Sequence, residues 1–339
     1  MSGASATSCS GRWPTRSCSS RPCSGPIGPV PTCTRPSLTF NSATAASERS
    51  PSEARVSELA KRIAFAVAAI PVVAGAVYLG DAPLAVLLSI ASALGAWEYA
   101  RLAEAAGARP MGQWTIALAA LIPLALHALR LGYAVPGIAW IAMLIPLLLS
   151  IALWTRGSAG KPIESVATTL FGVWYTGGML AFVYALRYHR FAITAVAGSL
   201  LVALPVVLTW LNDSGAFYFG KKFGKAKLMP SVSPGKTWAG AWGALGTTIV
   251  STYLISQFVL KPYAGLGLTL VGVVIFGAVM SVAAQVGDLV ESMLKREAGM
   301  KDSSNLIPGH GGVLDRTDSL LFTVPIAYVM LEQLLVVAR

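Results

Sequence analysis

Nine apolar runs between residues 63 and 337 constrain this chain more than any other feature: Ile63 to Leu79, Pro83 to Tyr99, Trp114 to Leu129, Val135 to Trp154, Val166 to Leu186, Phe191 to Leu211, Trp238 to Leu260, Leu266 to Val286 and Ser319 to Val337. Each approaches the ~20 residues that a helix needs to cross the hydrocarbon of a bilayer. The expected fold is all-α, a polytopic integral membrane protein with about nine transmembrane helices. The first two runs share a Gly80-Asp81-Ala82-Pro83 turn and could instead form a re-entrant pair. Only 12% of the residues are charged, against about 25% in a soluble globular domain.

The formal charge of +11 must therefore sit in loops and ends, where Lys and Arg face anionic head groups or an anionic substrate. Alternating the spans puts sixteen Lys and Arg on one side, and only Arg130, Arg187, Arg190, Lys261 and Arg339 on the other. Positively charged loops stay cytoplasmic. The N-terminus and the charged loops are thus expected in the cytoplasm, where soluble nucleotides are available. No basic stripe with interleaved aromatics is seen outside the spans, so nucleic acid is not an expected partner.

All four cysteines, Cys9, Cys18, Cys23 and Cys33, fall in an acid-poor N-terminal stretch rich in Ser, Pro, Thr and Arg. Neither zinc-ligand spacing nor a core to staple accompanies them. Residues 1–58 are expected to be a disordered extension; a transit peptide and a misassigned start are the competing readings. The remainder divides into an N-terminal transmembrane region, 59–200, and a catalytic transmembrane region, 201–339, with two cytoplasmic motif loops.

The first motif loop runs from Asn212 to Gly240. Gly215 to Lys221 has the glycine spacing of a phosphate loop, but Lys222 replaces the magnesium-holding hydroxyl, and a membrane span precedes it instead of a buried strand. It is not a Walker A loop, and neither is Gly235-Lys236-Thr237. Five lysines with the hydroxyls of Ser231, Ser233 and Thr237 could still cradle a polyphosphate; an ordinary basic loop is the plain alternative. Glu98 and Arg101, three apart at the end of the second span, are expected to pair with each other.

The second motif loop, Ser292 to Asp318, is the densest polar stretch between apolar runs. Helical spacing places Gln285, Asp288, Ser292 and Lys295 on one face. An aspartate at Asp288 needs a compensating partner, either a lysine or a divalent cation. Asp315 and Asp318, three apart, open the last span. Three aspartates at the ends of two helices could converge on one or two Mg²⁺ ions, because carboxylates with substrate phosphates are the usual magnesium environment.

Ser292-x-x-Lys295-Arg296, then Lys301-Asp302, then Pro308-x-His310-Gly311-Gly312-x-x-Asp315-Arg316-x-Asp318 resembles the hallmark of bacterial phosphatidate cytidylyltransferases, also called CDP-diacylglycerol synthases. The similarity extends back through Gly287-Asp288, Ser233 to Thr237 and Asn212-Asp213. Ala239 departs from it, standing where many members carry Glu. The resemblance implies CTP and phosphatidic acid as substrates, Mg²⁺ as cofactor with K⁺ as a candidate second cation, and membrane lipids around a homodimer. It implies the bacterial inner membrane, with the site facing the cytoplasm. Asp288 and Asp315 would be metal ligands, and Asp288, Asp315, Asp318, Lys295 and His310 the catalytic set. Asp213, Ser233, Lys236, Thr237, Ser292, Arg296, Lys301 and Arg316 would contact substrate. A CTP-dependent lipid kinase and a secondary transporter are the rival readings.

Overall fold

A computed structural model describes residues 65, 67–133, 138–307 and 311–337, with backbone only for 138–141. The extension expected over 1–58 lies outside these residues, and so does His310. The helices are α1 (Val67–Leu79), α2 (Asp81–Ala105), α3 (Gly112–Arg130) and α4 (Ile138–Arg156). Next come α5 (Pro162–Gly172), a π-helical stretch (Val173–Gly178) and α6 (Met179–Arg187), which together make one long rod, and then α7 (Ala195–Phe223). A hairpin, β1 (Lys227–Met229) and β2 (Ser233–Thr237), leads into α8 (Trp238–Ile255), a second π-helical stretch (Ser256–Leu260) and α9 (Lys261–Ala264). Strand β3 (Leu266–Leu268), α10 (Leu270–Glu297), α11 (Leu314–Thr317), α12 (Leu320–Leu334) and β4 (Leu335–Val337) complete the order.

Among the described residues, six rods are long and apolar enough to cross a membrane: Asp81–Ala105, Gly112–Arg130, Pro162–Arg187, Ala195–Phe223, Trp238–Ala264 and Leu270–Glu297. Val67–Leu79 and Ala142–Arg156 are shorter apolar helices, and α12 has 15 residues. The protein is an all-α membrane protein, with two small sheets among the described residues. Each apolar run has its helix, but the boundaries move. The last run ends in β4, which pairs antiparallel with β3 at the start of the eighth run. Helix α7 continues unbroken across the division expected at 200/201.

Threonines set where three long helices begin. The hydroxyls of Thr194, Thr237 and Thr269 accept the backbone N–H of Ala197, Gly240 and Gly272 at 3.0, 3.2 and 3.0 Å, supplying an acceptor to N–H groups that have no partner within the helix. One apolar core joins α6, α7, α10, α12 and the β3–β4 sheet around Leu201, Leu208, Phe276, Met280 and Leu331. A second joins α2 to the π-helical stretch, α11 and α12 through Leu84, Tyr99, Tyr175, Leu314 and Leu321. α7 packs along α8, and α8 along α10. That trio carries most of the polar side chains considered next.

Candidate active site

The site rests on a buried polar layer within the α7, α8 and α10 trio. Asn212, 1% exposed, turns its Oδ1 inward to accept hydrogen bonds from Ser281 Oγ at 2.7 Å and Thr248 Oγ1 at 3.2 Å. Gln285 Nε2 extends the layer by donating to Ser281 Oγ at 3.0 Å. An unpaired buried amide costs about 1–3 kcal/mol, so this layer fixes the rotation of all three helices. Asp213, one residue beyond Asn212, is thereby turned to the neighbouring cavity.

That cavity, about 410 Å³, lies between α7, the β1–β2 hairpin, α8 and α10. Lys221, Lys227 and Lys236 line it together with Asp213 and Asp288. Lys236 Nζ stands 2.7 Å from Asp288 Oδ2, and Ser292 Oγ donates to Asp288 Oδ1 at 3.4 Å. The partner that an aspartate at this depth requires is therefore a lysine from the hairpin, not Lys295. Residues Asn212 to Phe223, expected as loop, are helical, so the phosphate-loop spacing at Gly215 to Lys221 falls on a helix. Ser233 lies in β2 opposite Met229, and Thr237 spends its hydroxyl on capping α8.

Lys295 belongs to a second cluster beside the first. Its Nζ stands 3.0 Å from Glu291 Oε2 and donates to Asp315 Oδ1 at 2.7 Å. Glu291 and Asp315 are 1% and 6% exposed at their side chains. Asp315 Oδ2 accepts the N–H and hydroxyl of Ser303 at 2.9 and 2.8 Å and the N–H of Gly312 at 2.8 Å. Burial pushes the Asp315 carboxyl up, but the hydrogen bonds from Lys295, Gly312 and Ser303 outweigh it and hold the group well below the usual carboxylate range. Asp315 is thus the knot that ties Ser303 and Gly312 to α10.

Asp318 lies between the two clusters. Burial pushes its carboxyl up, the Ser319 N–H at 2.6 Å pulls it down, and the charge of Asp288 pushes it up again, leaving it above its ordinary value. Gly287 makes this proximity possible: a Cβ there would stand 2.9 Å from both the Asp318 carbonyl oxygen and Ser319 Cα. Backbone atoms cannot swing away as a side-chain tip can, and overpacking of this kind costs about 1–3 kcal/mol. Gly287→Ala is expected to push Asp318 away from Asp288 and lower turnover about tenfold or more while the chain still accumulates in membranes. Wild-type turnover in Gly287→Ala would show that this spacing is immaterial.

The remaining expected residues are more open. Arg296 is exposed and donates to the Val232 carbonyl at 3.4 Å, touching the hairpin. Lys301 and Arg316 are exposed. One carboxylate, Glu291, went unnoticed in the sequence, and another, Glu98, was expected to have a different partner. Glu291 sits one turn before Lys295, a spacing that pairs charges on a helix, and this was the legible signal. Glu98 does not pair with Arg101, which instead lies over the Trp97 ring at 4.8 Å. Glu98 is wholly buried and bonded to the motif loop.

The profile of the cytidylyltransferase family matches residues 60–334 of this chain, a range that holds every residue of both clusters. The chain belongs to the cytidylyltransferase family. A Pseudomonas aeruginosa protein named phosphatidate cytidylyltransferase is 36% identical over 278 residues, covering 80% of this chain and 97% of that relative. Phosphatidate cytidylyltransferase 5, chloroplastic, of Arabidopsis thaliana is 32% identical over 300 residues, covering 80% and 71%. A Haemophilus influenzae phosphatidate cytidylyltransferase reaches 44% identity over 146 residues, or 43% of this chain and 50% of its own length. Among cytidylyltransferase family members, then, similarity covers both the α2 side and the α7–α10 side of this protein.

Proposed function

We propose that this chain transfers the cytidylyl group of CTP to phosphatidic acid, giving CDP-diacylglycerol and pyrophosphate. The observation that carries the reading is the cavity of about 410 Å³ in a membrane-spanning cytidylyltransferase family member, where Lys221, Lys227 and Lys236 meet the open carboxylates of Asp213 and Asp288. Lysines of this density suit a triphosphate.

In the mechanism, an oxygen of the lipid phosphate attacks the α-phosphorus in line. A new P–O bond forms as the bond from the α-phosphorus to the bridging oxygen breaks, and its electron pair departs with pyrophosphate. The nucleophile is already an anion, so no covalent enzyme intermediate is required. Lys221, Lys227 and Lys236 hold the phosphates and offset the charge that develops on the leaving group. Lys295, between Glu291 and Asp315, keeps the motif loop in place beside them.

A magnesium ion suits this donor set. Mg²⁺ is commonly held by one or two carboxylates together with substrate phosphates, and among the described residues no group of three His, Cys, Asp or Glu side chains is placed to hold a metal without a substrate. Asp288 and Asp213 both line the cavity. Asp318 stands in the repulsive field of Asp288, which a dication would relieve. Asp315, bonded to Lys295 in this structure, would be the further ligand that the family resemblance names. When bound, the ion supplies Lewis-acid polarisation and charge neutralisation at the phosphates. A second cation such as K⁺ would draw on the same carboxylates.

The charge asymmetry of the loops supports a cavity opening to the cytoplasm from a bacterial inner membrane; the homodimer follows from the family resemblance alone. Membranes containing the chain should be incubated with phosphatidic acid, Mg²⁺ and CTP labelled at the α- or the γ-phosphate. Label from the α position is expected in the lipid. Label from the γ position alone would mean a lipid kinase, and no lipid label from folded protein would end the transferase reading.

A further inference from the structure

Glu98, in α2, is 0% exposed and lacks a Lys or Arg ion-pair partner among the described residues. A carboxyl in that position must find its partners in hydrogen bonds. Among the described residues, all four come from the motif loop. Oε1 accepts Ser304 Oγ at 2.6 Å and the Val313 N–H at 2.9 Å. Oε2 accepts Ser303 Oγ at 3.1 Å and the Leu314 N–H at 2.6 Å. The chain on either side of the loop's turn is therefore gathered onto one side chain more than two hundred positions earlier. Gly312 allows it, because a Cβ there would collide with Glu98 and with Ser303.

Ser303 carries the connection onward. Its hydroxyl stands 3.1 Å from Glu98 Oε2 and 2.8 Å from Asp315 Oδ2. A hydroxyl has one proton to donate, so the two carboxylates share it, and whatever changes at Glu98 changes the bonding of Asp315. We infer that Glu98 is a positioning residue for turnover, holding Ser303, Asp315 and the start of α11 in register with the α10 carboxylates. This role presupposes the cytidylyl transfer proposed above. It also gives α2 a part in the chemistry, although none of the cavity-lining residues comes from α2 or from the 303–318 segment.

The wiring predicts a particular order of variants. Glutamine has the shape of glutamate, but one of its two terminal atoms is an NH₂ group. Each oxygen of Glu98 faces a backbone N–H that cannot reverse its direction, so in Glu98→Gln one donor meets a donor whichever way the amide is turned. Glu98→Asp keeps two acceptors on a stem shorter by one methylene. If Glu98 merely filled space, Gln would be harmless and Asp worse. If acceptor pattern matters, Asp outperforms Gln.

The test uses the full-length chain in detergent or vesicles, with bound CTP per chain counting correctly folded protein. Expected for Glu98→Gln are unchanged CTP stoichiometry, a KM for CTP within about twofold of wild type, and a kcat lower by about 10²-fold, the scale of a misplaced catalytic group. Glu98→Asp should lie in between. Amide exchange should show Val313 and Leu314 losing protection by about tenfold or more in Glu98→Gln. A wild-type kcat in Glu98→Gln, Gln outperforming Asp, or a loss of kcat matched by lost CTP stoichiometry would overturn the role. If the wild-type chain itself transfers no cytidylyl group, the functional reading fails, and unchanged protection at Val313 and Leu314 would separately overturn the clasp.

Discussion

Asp288→Asn is expected to lower CDP-diacylglycerol formation by about 10³-fold, the scale of losing several kcal/mol of charge stabilisation at a phosphate. The substitution is close to isosteric, and Asn Oδ1 can still accept from Lys236, which stands 2.7 Å from the present carboxylate. The side chain is 38% exposed towards the cavity, so no buried charge is orphaned by the change. What disappears is the negative charge that would bind a cation. The chain should insert and unfold as wild type does, and CTP retention without added Mg²⁺ should be preserved, because Lys236, held by a neutral amide in place of a carboxylate, remains available to the phosphates. Turnover within tenfold of wild type at saturating Mg²⁺ would remove Asp288 from the metal site.

Lys295→Met is expected to produce the largest loss of stability. Lys295 is 14% exposed and holds two carboxylates, Glu291 at 3.0 Å and Asp315 at 2.7 Å, both almost fully buried. Removing one partner from a buried ion pair costs about 3–5 kcal/mol because the other charge is left uncompensated, and here two are left. The thermal midpoint in detergent should fall, and the 303–312 segment should become protease-sensitive because Asp315 loses the tie that joins it to α10. Adding Glu291→Gln should recover part of the midpoint without restoring turnover. An unchanged midpoint in Lys295→Met would mean that the triad contributes nothing to the fold.

How much of this was readable depended on the distance between partners. The apolar runs located the helices because hydrocarbon demands internal backbone bonding of every segment that crosses it. Helix ends were less legible. Hydropathy stops at Leu211, yet α7 continues to Phe223, since hydrogen bonding along a helix is indifferent to whether its side chains are apolar. The match of Asp288 with Ser292 followed from spacing along one helix. Its pairing with Lys236 did not, because the hairpin that delivers Lys236 depends on the β1–β2 register. Glu98 was hidden for the same reason: Arg101 offered a plausible neighbour three residues away, while the true partners lie beyond residue 300. Asp315 was singled out as a charge, but its four donors became visible only once the chain turned back on itself.

Helices α7 and α10 also act as rulers. Asp213 and Asp288 each lie eighteen positions past the first residue of their helix, at Ala195 and Leu270. At 1.5 Å per residue both carboxylates stand about 27 Å along the rod, close to the ~30 Å thickness of bilayer hydrocarbon. Both acidic groups line one cavity, so on helices that start at the far edge of the hydrocarbon they lie near the plane where acyl chains give way to phosphate. A diacyl lipid can present its head group at that height with both tails still in oil, and a water-soluble triphosphate can arrive from above without entering the oil.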